Sequence, residues 1–422
     1  MSTSPEQVVV TGLGVVSPIG IGLEAFWSSL VAGRSGIRPI SMFDASLLPI
    51  RFGGEVRDFD PKVRVRPRKS LKVMSRDIQL GFAAADEAYT HADIAAGAID
   101  PERFGVVFGS DLIQPDPLES AAGYRRSTVD GVFDFSLWGE GAMQEVYPLW
   151  MLKHLPNMPA CHIGIAFDAR GPNNTITLGE VSSLSAIGEA MRVIARGQAD
   201  LMFAGGTGVR VQPTSMVRNS AAEASRRNDD PEHAARPFDA EREGEVFGEG
   251  AGATMLESRR AAQRRGAKIL AQVIGFGSAF GRNPEGGTTS AAVAQSIERA
   301  LADAELTPSE IGFVVAQGRG TRRDDVNEAE GIRNALGDVP VTVPKSFYGN
   351  TGSGGGALDF TAAVAALLAE RIPATLNYTT PDPACPVSVV HGAPQPLAKS
   401  TALVLSQTPM GQAVAIAVVR EA

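Results

Sequence analysis

Cysteine is nearly absent from this chain. Its two residues, Cys161 and Cys385, lie far apart and show no metal-type spacing. That excludes a disulfide framework and points to a reducing compartment. Histidine is also scarce, with five residues at 91, 154, 162, 233 and 391. Basic residues are outnumbered, 39 Lys and Arg against 47 Asp and Glu, for a net charge of −8. No basic stripe offsets this balance, which argues against nucleic acid as a partner. Long apolar runs are missing too. Met1–Gln7 is not an apolar secretory segment, and the apolar stretch 357–368 is short for a bilayer and carries Asp359. A cytoplasmic protein without a membrane span is expected.

What is present is globular: 44% hydrophobic residues in a chain of 422, enough for two domains or one large double unit. Val8–Thr11, Phe104–Phe108, His162–Phe167, Leu201–Ala204 and Gly250–Leu256 read as strands. Gly22–Val31 and Asp77–Thr90 read as helices. Residues 111–160 are polar and irregular, as in an insertion, and 219–236 read as a charged loop. The second half repeats this order weakly. Residues 82–110 are echoed by 296–321, and the opening strand at 8–10 is echoed by 269–274. The pattern predicts two βαβ-rich halves, 1–257 and 258–422, arising by internal duplication.

The stretch "TITLGEVSSLSAIGEAMRVIARG" (175–197) is a β-branched run, a turn at Gly179, and then a small-residue helix. A strand–turn–helix elbow presents one side chain to a helix N-terminus, where an anion or a nucleophile is favoured. Here that side chain is Glu180. The helix after it is echoed by the Gly-rich turn 352–356 and the helix 357–370.

Several segments together resemble the β-ketoacyl synthases, the condensing enzymes of fatty-acid and polyketide synthesis. They are "VVVTGLGVVSPIG" (8–20), "LKHLPNMPACHIGIAFDARGPNNTI" (152–176), "RPFDAEREGEVFGEGAGATMLE" (236–257), "GTRRDDVNEAEGI" (320–332) and "PKSFYGNTGSGGGA" (344–357). They occur in the family's order over nearly the whole chain. The resemblance implies a thiolase-like α/β fold of five layers, αβαβα, with two mixed five-stranded sheets from duplicated halves, commonly dimeric. No cofactor and no metal is expected.

The resemblance also implies where the chemistry should sit. The family places a cysteine nucleophile before a helix of the type "SGLNAIGEA"; the matching "SSLSAIGEA" (182–190) puts Glu180 at that position. A carboxylate there cannot form the thioester. The first active-site histidine corresponds to Gln317 of "QGRGT" (317–321), and the second to Asn350, after the matching lysine, Lys345. Neither replacement titrates near neutral pH. The family's Gly-Phe-Gly-Gly oxyanion donor corresponds to Pro409 of "SQTPMGQA" (406–413), which has no N–H. Asp325 and Glu328 match acidic positions, read as a buried structural ion-pair network. Neither cysteine rescues the site: with Cys161 and His162 in a strand, their side chains point to opposite faces. His154 reads as a surface or interface residue.

Decarboxylative condensation is therefore not expected. Three roles are open for Glu180. It can be structural, paired with Lys345 and bonded by Gln317 or Asn350. It can mark a non-catalytic partner of an active ketosynthase, like the chain-length factors of aromatic polyketide systems, although those carry glutamine there. It can be a general base of raised pKa on a carrier-bound acyl chain, with the loop 349–356 lining a channel. Acyl carrier protein, an active ketosynthase or both are the expected partners, in a homo- or heterodimer, with a purely structural homodimer as the remaining alternative. Arg64, Arg66, Arg68, Lys69 and Lys72 form a short basic run, read either as a solvated loop or as a contact for an acidic carrier.

Overall fold

The computed structural model describes residues 6–95, 97–219 and 223–421. Parts of the N-terminal segment Met1–Gln7, of the stretch 82–110 and of the loop 219–236 thus lie outside the described residues.

The N-terminal half builds a mixed sheet from β1 (Val8–Ser17), β2 (Phe104–Gly109), β3 (Asn173–Ile176), β4 (Leu201–Val209) and β5 (Glu249–Ser258), with helices α1 (Arg76–His91) and α2 (Ser182–Ala195). The C-terminal half uses β6 (Ala271–Phe280), α3 (Ser290–Asp303), β7 (Phe313–Val315), α4 (Arg322–Leu336), β8 (Pro340–Thr342), α5 (Gly355–Ala369), β9 (Thr401–Gln407) and β10 (Gln412–Arg420). The strand orders are β3-β2-β4-β5-β1 and β8-β7-β9-β10-β6. Each sheet has two parallel pairings followed by two antiparallel ones. The sheets meet where Val8–Val10 of β1 pair antiparallel with Ala271–Val273 of β6. A short strand, Ser388–Val389, extends the second sheet beside β8.

Burial explains the layers. β1 is buried along its whole length, as a strand covered on both faces must be. One apolar cluster lies between the sheets and contains the inner faces of α2 and α5; two others cover the outer faces, under α1 and under α3 and α4. The result is five layers of alternating helix and sheet. The halves match down to single glycines. A Cβ on Gly14 of β1 would stand 1.9 Å from the Ala84 carbonyl of α1, and one on Gly277 of β6 would stand 2.1 Å from the Ser296 carbonyl of α3. Both outer helices lie directly on bare strand backbone, so neither position tolerates a side chain.

Four expectations need correction. His162–Phe167 is not a strand; Met158–Ala166 is a helix, opened by Pro159. Its apolar residues surround the helix, so no period distinguished it from a buried strand. The opposite-faces argument for Cys161 and His162 therefore fails; Cys161 Sγ accepts a 3.5 Å bond from Asn157 Nδ2, and no hydrogen bond to His162 is found among the described residues. Residues 111–160 are not irregular. They hold helices Pro117–Arg126 and Phe135–Glu145, capped by Asp116 and Asp134, joined through a small ribbon of Thr128–Val129 and Val132–Phe133. Of the two readings of His154, surface or interface, the open-surface one fails: its side chain is 10% exposed, packed on Trp150 and beside Glu119. Finally, Gly352–Ala369 is long and apolar enough to cross a membrane by length and composition, but 89% of it is buried inside the fold, as in a core helix.

Candidate functional site

The elbow is formed as the sequence suggests. Gly179 turns the chain with φ +61°, in the left-handed region that favours glycine. A single 3₁₀ turn, Gly179–Val181, leads into α2. Ser182 Oγ donates to the Gly179 carbonyl at 2.6 Å and accepts from Leu178 N–H at 2.8 Å, which locks the turn. Glu180 is thereby held at the start of the helix, 4% exposed.

Its partner is not Lys345. Arg210, one residue beyond the end of β4, donates from Nη2 to Glu180 Oε1 at 2.6 Å. Arg210 Nη1 also stands 3.3 Å from Glu245 Oε2. Arg319 donates to both Glu245 oxygens at 3.2 Å and to Asp324 at 2.7 Å, and reaches Glu223 at 3.4 Å. The result is a chain of alternating charges, Glu180–Arg210–Glu245–Arg319, continued by Asp324 and Glu223. Burial alone would favour the neutral acid at Glu180, but the charges of Arg210 and Arg319 overcome it and hold its carboxyl below the ordinary glutamate value. Both guanidiniums are in turn raised against the opposing effect of burial, Arg210 by Glu180 and Glu245, and Arg319 by Glu245, Glu180 and Asp324. The expected raised pKa at Glu180 is thus reversed in direction.

The other expected residues are nearby but engaged elsewhere. Lys345 is ion-paired with Asp359, which also accepts from the Tyr348 hydroxyl, and all three are buried. Gln317 donates to the Gln407 carbonyl at 2.8 Å and accepts from Ser406 Oγ at 3.0 Å and from Gln407 N–H. Ser406 Oγ also lies 2.9 Å from the Glu180 carbonyl, so Gln317 meets the elbow through Ser406 rather than through the carboxylate. Asn350 donates to Glu245 Oε2 at 2.6 Å and so joins the charged chain one step from Glu180. Asp325 pairs with Arg242 at 3.5 Å and accepts from the N–H groups of Phe238 and Gly320, as a structural role requires. Glu328 forms no ion pair among the described residues; its two oxygens each accept at 2.8 Å, from the N–H groups of Gln317 and Gly318. Burial pushes Glu328 up to about 7 and Asp325 up to about 6.

A cleft of about 520 Å³ opens onto the elbow. Leu178, Pro409 and Met410 give it an apolar side; Glu180, Arg210, Glu245 and Arg319 give it a charged floor. On the far side of Arg319, between Lys345, Asn350 and Gly318, lies a void of only about 10 Å³. That is about the room one water needs. The loop 349–356 is buried throughout and packed tight, so the expected channel along it is absent. A Cβ on Gly352 would come within 3.0 Å of Arg210 Nε, which places the guanidinium directly on that loop. Cys385 is buried and its thiol is pushed up to about 12 by that burial, so it offers no thiolate.

The basic run is split by its neighbours. Arg64 pairs with Asp86 and Glu87, and Arg66 with Asp86. Arg68, Lys69 and Lys72 are exposed, without an ion pair among the described residues. Sequence reasoning missed Arg210, Glu245 and Arg319. Arg319 lies inside the motif "QGRGT" and Glu245 inside the segment 236–257, so their place in quoted motifs was the available signal. Nothing in the sequence marked Arg210.

Comparison with known proteins places this geometry. The family models for the β-ketoacyl synthase N-terminal and C-terminal domains match residues 5–262 and 270–379. The 3-oxoacyl-[acyl-carrier-protein] synthase 2 of Synechocystis sp. is 34% identical over 409 residues, covering 94% of each chain. Among solved structures, the ishigamide ketosynthase/chain length factor has a TM-score of 0.86 at 27% identity, covering 99% of this chain and 100% of its own. A type II polyketide acyl-carrier protein in complex with its ketosynthase gives 0.84 at 27% identity, again covering 99% and 100%. These matches extend over both sheets and the elbow between them, and the chain therefore belongs to the β-ketoacyl synthase family, with its thiolase-like fold.

Proposed function

We propose that this chain is a non-condensing member of its family that serves as the partner of an active ketosynthase and recognises acyl carrier protein. One observation carries the reading. Glu180, at the elbow where the family's nucleophile is expected, is an ionised carboxylate clamped by Arg210 in a buried charged chain. A side chain so held is neither a free nucleophile nor a basic enough group to take a proton from carbon. Gln317 and Asn350, at the expected histidine positions, are committed to neighbours, and Pro409 supplies no N–H. The general-base alternative loses its support with the lowered pKa.

The surface supports a partner role. β3 is the free edge of its sheet. Elsewhere the chain exposes Leu118 (81%), Phe135 (79%), Met143 (86%) and Ile165 (75%), apolar side chains available to a partner. Carrier recognition falls to Arg68, Lys69 and Lys72, with Arg66 half-committed to Asp86. The ishigamide relative is itself a ketosynthase/chain length factor. A cytoplasmic location fits this role.

The test is co-expression with an active ketosynthase. A stable heterodimer is expected, and chain extension by the mixture should not depend on Glu180. Reversing Arg68, Lys69 and Lys72 to glutamate should weaken carrier binding. A homodimer that ignores such ketosynthases, or condensation by this chain alone, would overturn the reading.

A further inference from the structure

The cleft at the elbow has a charge pattern that carrier-bound acyl chains do not explain. Among the described residues, each charged group lining it is ion-paired except two. Arg210 pairs with Glu180 and Glu245, and Arg319 with Glu245 and Glu223. The exceptions are Asp111, just after β2, and Arg218, on the short helix Pro213–Asn219. They have opposite charge, face the same 520 Å³ space from different elements, and form no ion pair with each other. Asp111 and Arg218 are both exposed at the rim. Asp111 uses Oδ1 to accept from Leu112 N–H at 2.8 Å, and Oδ2 has no bond among the described residues. Burial and the nearby Glu180 raise its carboxyl, while Arg210 and Arg218 act against them.

An apolar chain entering this space would strip water from the unpaired charges and from the charged floor without replacing it. A simple anion would meet Asp111 and Glu180; a simple cation would meet Arg218 and Arg210. Only a ligand carrying both charges satisfies both walls, and Leu178, Pro409 and Met410 offer its remaining part an apolar side. We propose that this cleft binds a small zwitterion with an apolar side chain, of the α-amino acid class, its ammonium at Asp111 and its carboxylate at Arg218. The inference does not depend on the partner reading, because it uses neither the basic run nor the free sheet edge.

The experiment is calorimetric titration of the intact chain with L-leucine, N-acetyl-leucine and leucinamide. Leucine should bind about tenfold more tightly than either analogue, the size of one partly solvated charge-assisted contact. Asp111→Asn should erase the gap between leucine and N-acetyl-leucine and leave the gap to leucinamide. Arg218→Gln should do the reverse. Because each variant keeps one preference, a misfolded protein is recognised by loss of both, and circular dichroism checks it. No leucine binding at millimolar concentration, equal binding of all three compounds, or gaps unchanged in folded variants would each overturn the proposal. Heterodimer formation and carrier binding are read separately, so failure here leaves the partner reading standing.

Discussion

Two elbows of the same shape stand at the centre of this molecule. In the first, Gly179 at φ +61° opens a 3₁₀ turn into α2; in the second, Gly352 at φ +65° opens a 3₁₀ turn into α5. The topology that repeats in the two sheets imposes both. Their surroundings differ. The first carries Glu180 beside a cleft, and a Cβ on Gly179 would touch nothing closer than Thr408 Cγ2 at 3.6 Å. The second is sealed: a Cβ on Gly354 would stand 2.5 Å from the Gly250 carbonyl, and one on Gly356 2.7 Å from Leu184 Cγ. The elbow alone is thus a packing solution. What makes one of them a site is the side chain it presents and the space in front of it. Arg210 joins the two, paired with Glu180 and resting on Gly352.

The comparison breaks most sharply at Arg210. Arg210→Met leaves Glu180 buried without its cation and should cost about 3 kcal/mol in denaturant unfolding, near the lower end for removing one member of a buried pair. The pH dependence should also weaken. In the native chain Glu180 has a lowered carboxyl, so its stabilising contribution is present above the ordinary glutamate range and is lost as pH falls through the folded value. Without Arg210, Arg319 alone of the two cations still opposes burial, so the loss of stability as pH falls through that range should shrink.

Next come the glycines. Gly354→Ala should destabilise by about 2 kcal/mol through overpacking against fixed backbone. Gly179→Ala meets only the left-handed backbone penalty, about 1 kcal/mol. Equal costs would mean that the two elbows are packed alike, against the contacts described here. The most gradual effect, spread over a range of pH, concerns Glu328, whose carboxyl rises from 4.5 to about 7 on burial. The folded state then holds the extra proton, so Glu328 makes stability fall as pH rises through that window. Glu328→Gln should flatten the profile there, as measured by unfolding at a series of pH values.

Much of the fold was legible because it rests on patterns that a linear sequence carries. β1 opens and closes on apolar runs, Val8–Val10 and Leu13–Val16, and glycines mark where helices lie on strands. The helix Met158–Ala166 was misread because burial on all sides removes the period that separates helix from strand. The 111–160 segment was missed because its helices bury few side chains and depend on the caps Asp116 and Asp134. At the site, the positions of Glu180, Gln317 and Asn350 were legible from motif register. Their partners were not. Lys345 and Arg210 are both cations near the elbow, and only the three-dimensional arrangement decides that Asp359 takes the first and Glu180 the second.

On the proposed reading, the first elbow keeps the form of an acylation site while its carboxylate is locked as an ion pair. Intact-mass spectrometry after incubation with acyl- and malonyl-loaded carrier protein tests it most directly. The account predicts an unmodified chain, with the malonyl thioester intact; an acyl adduct mapped to Glu180 would contradict it.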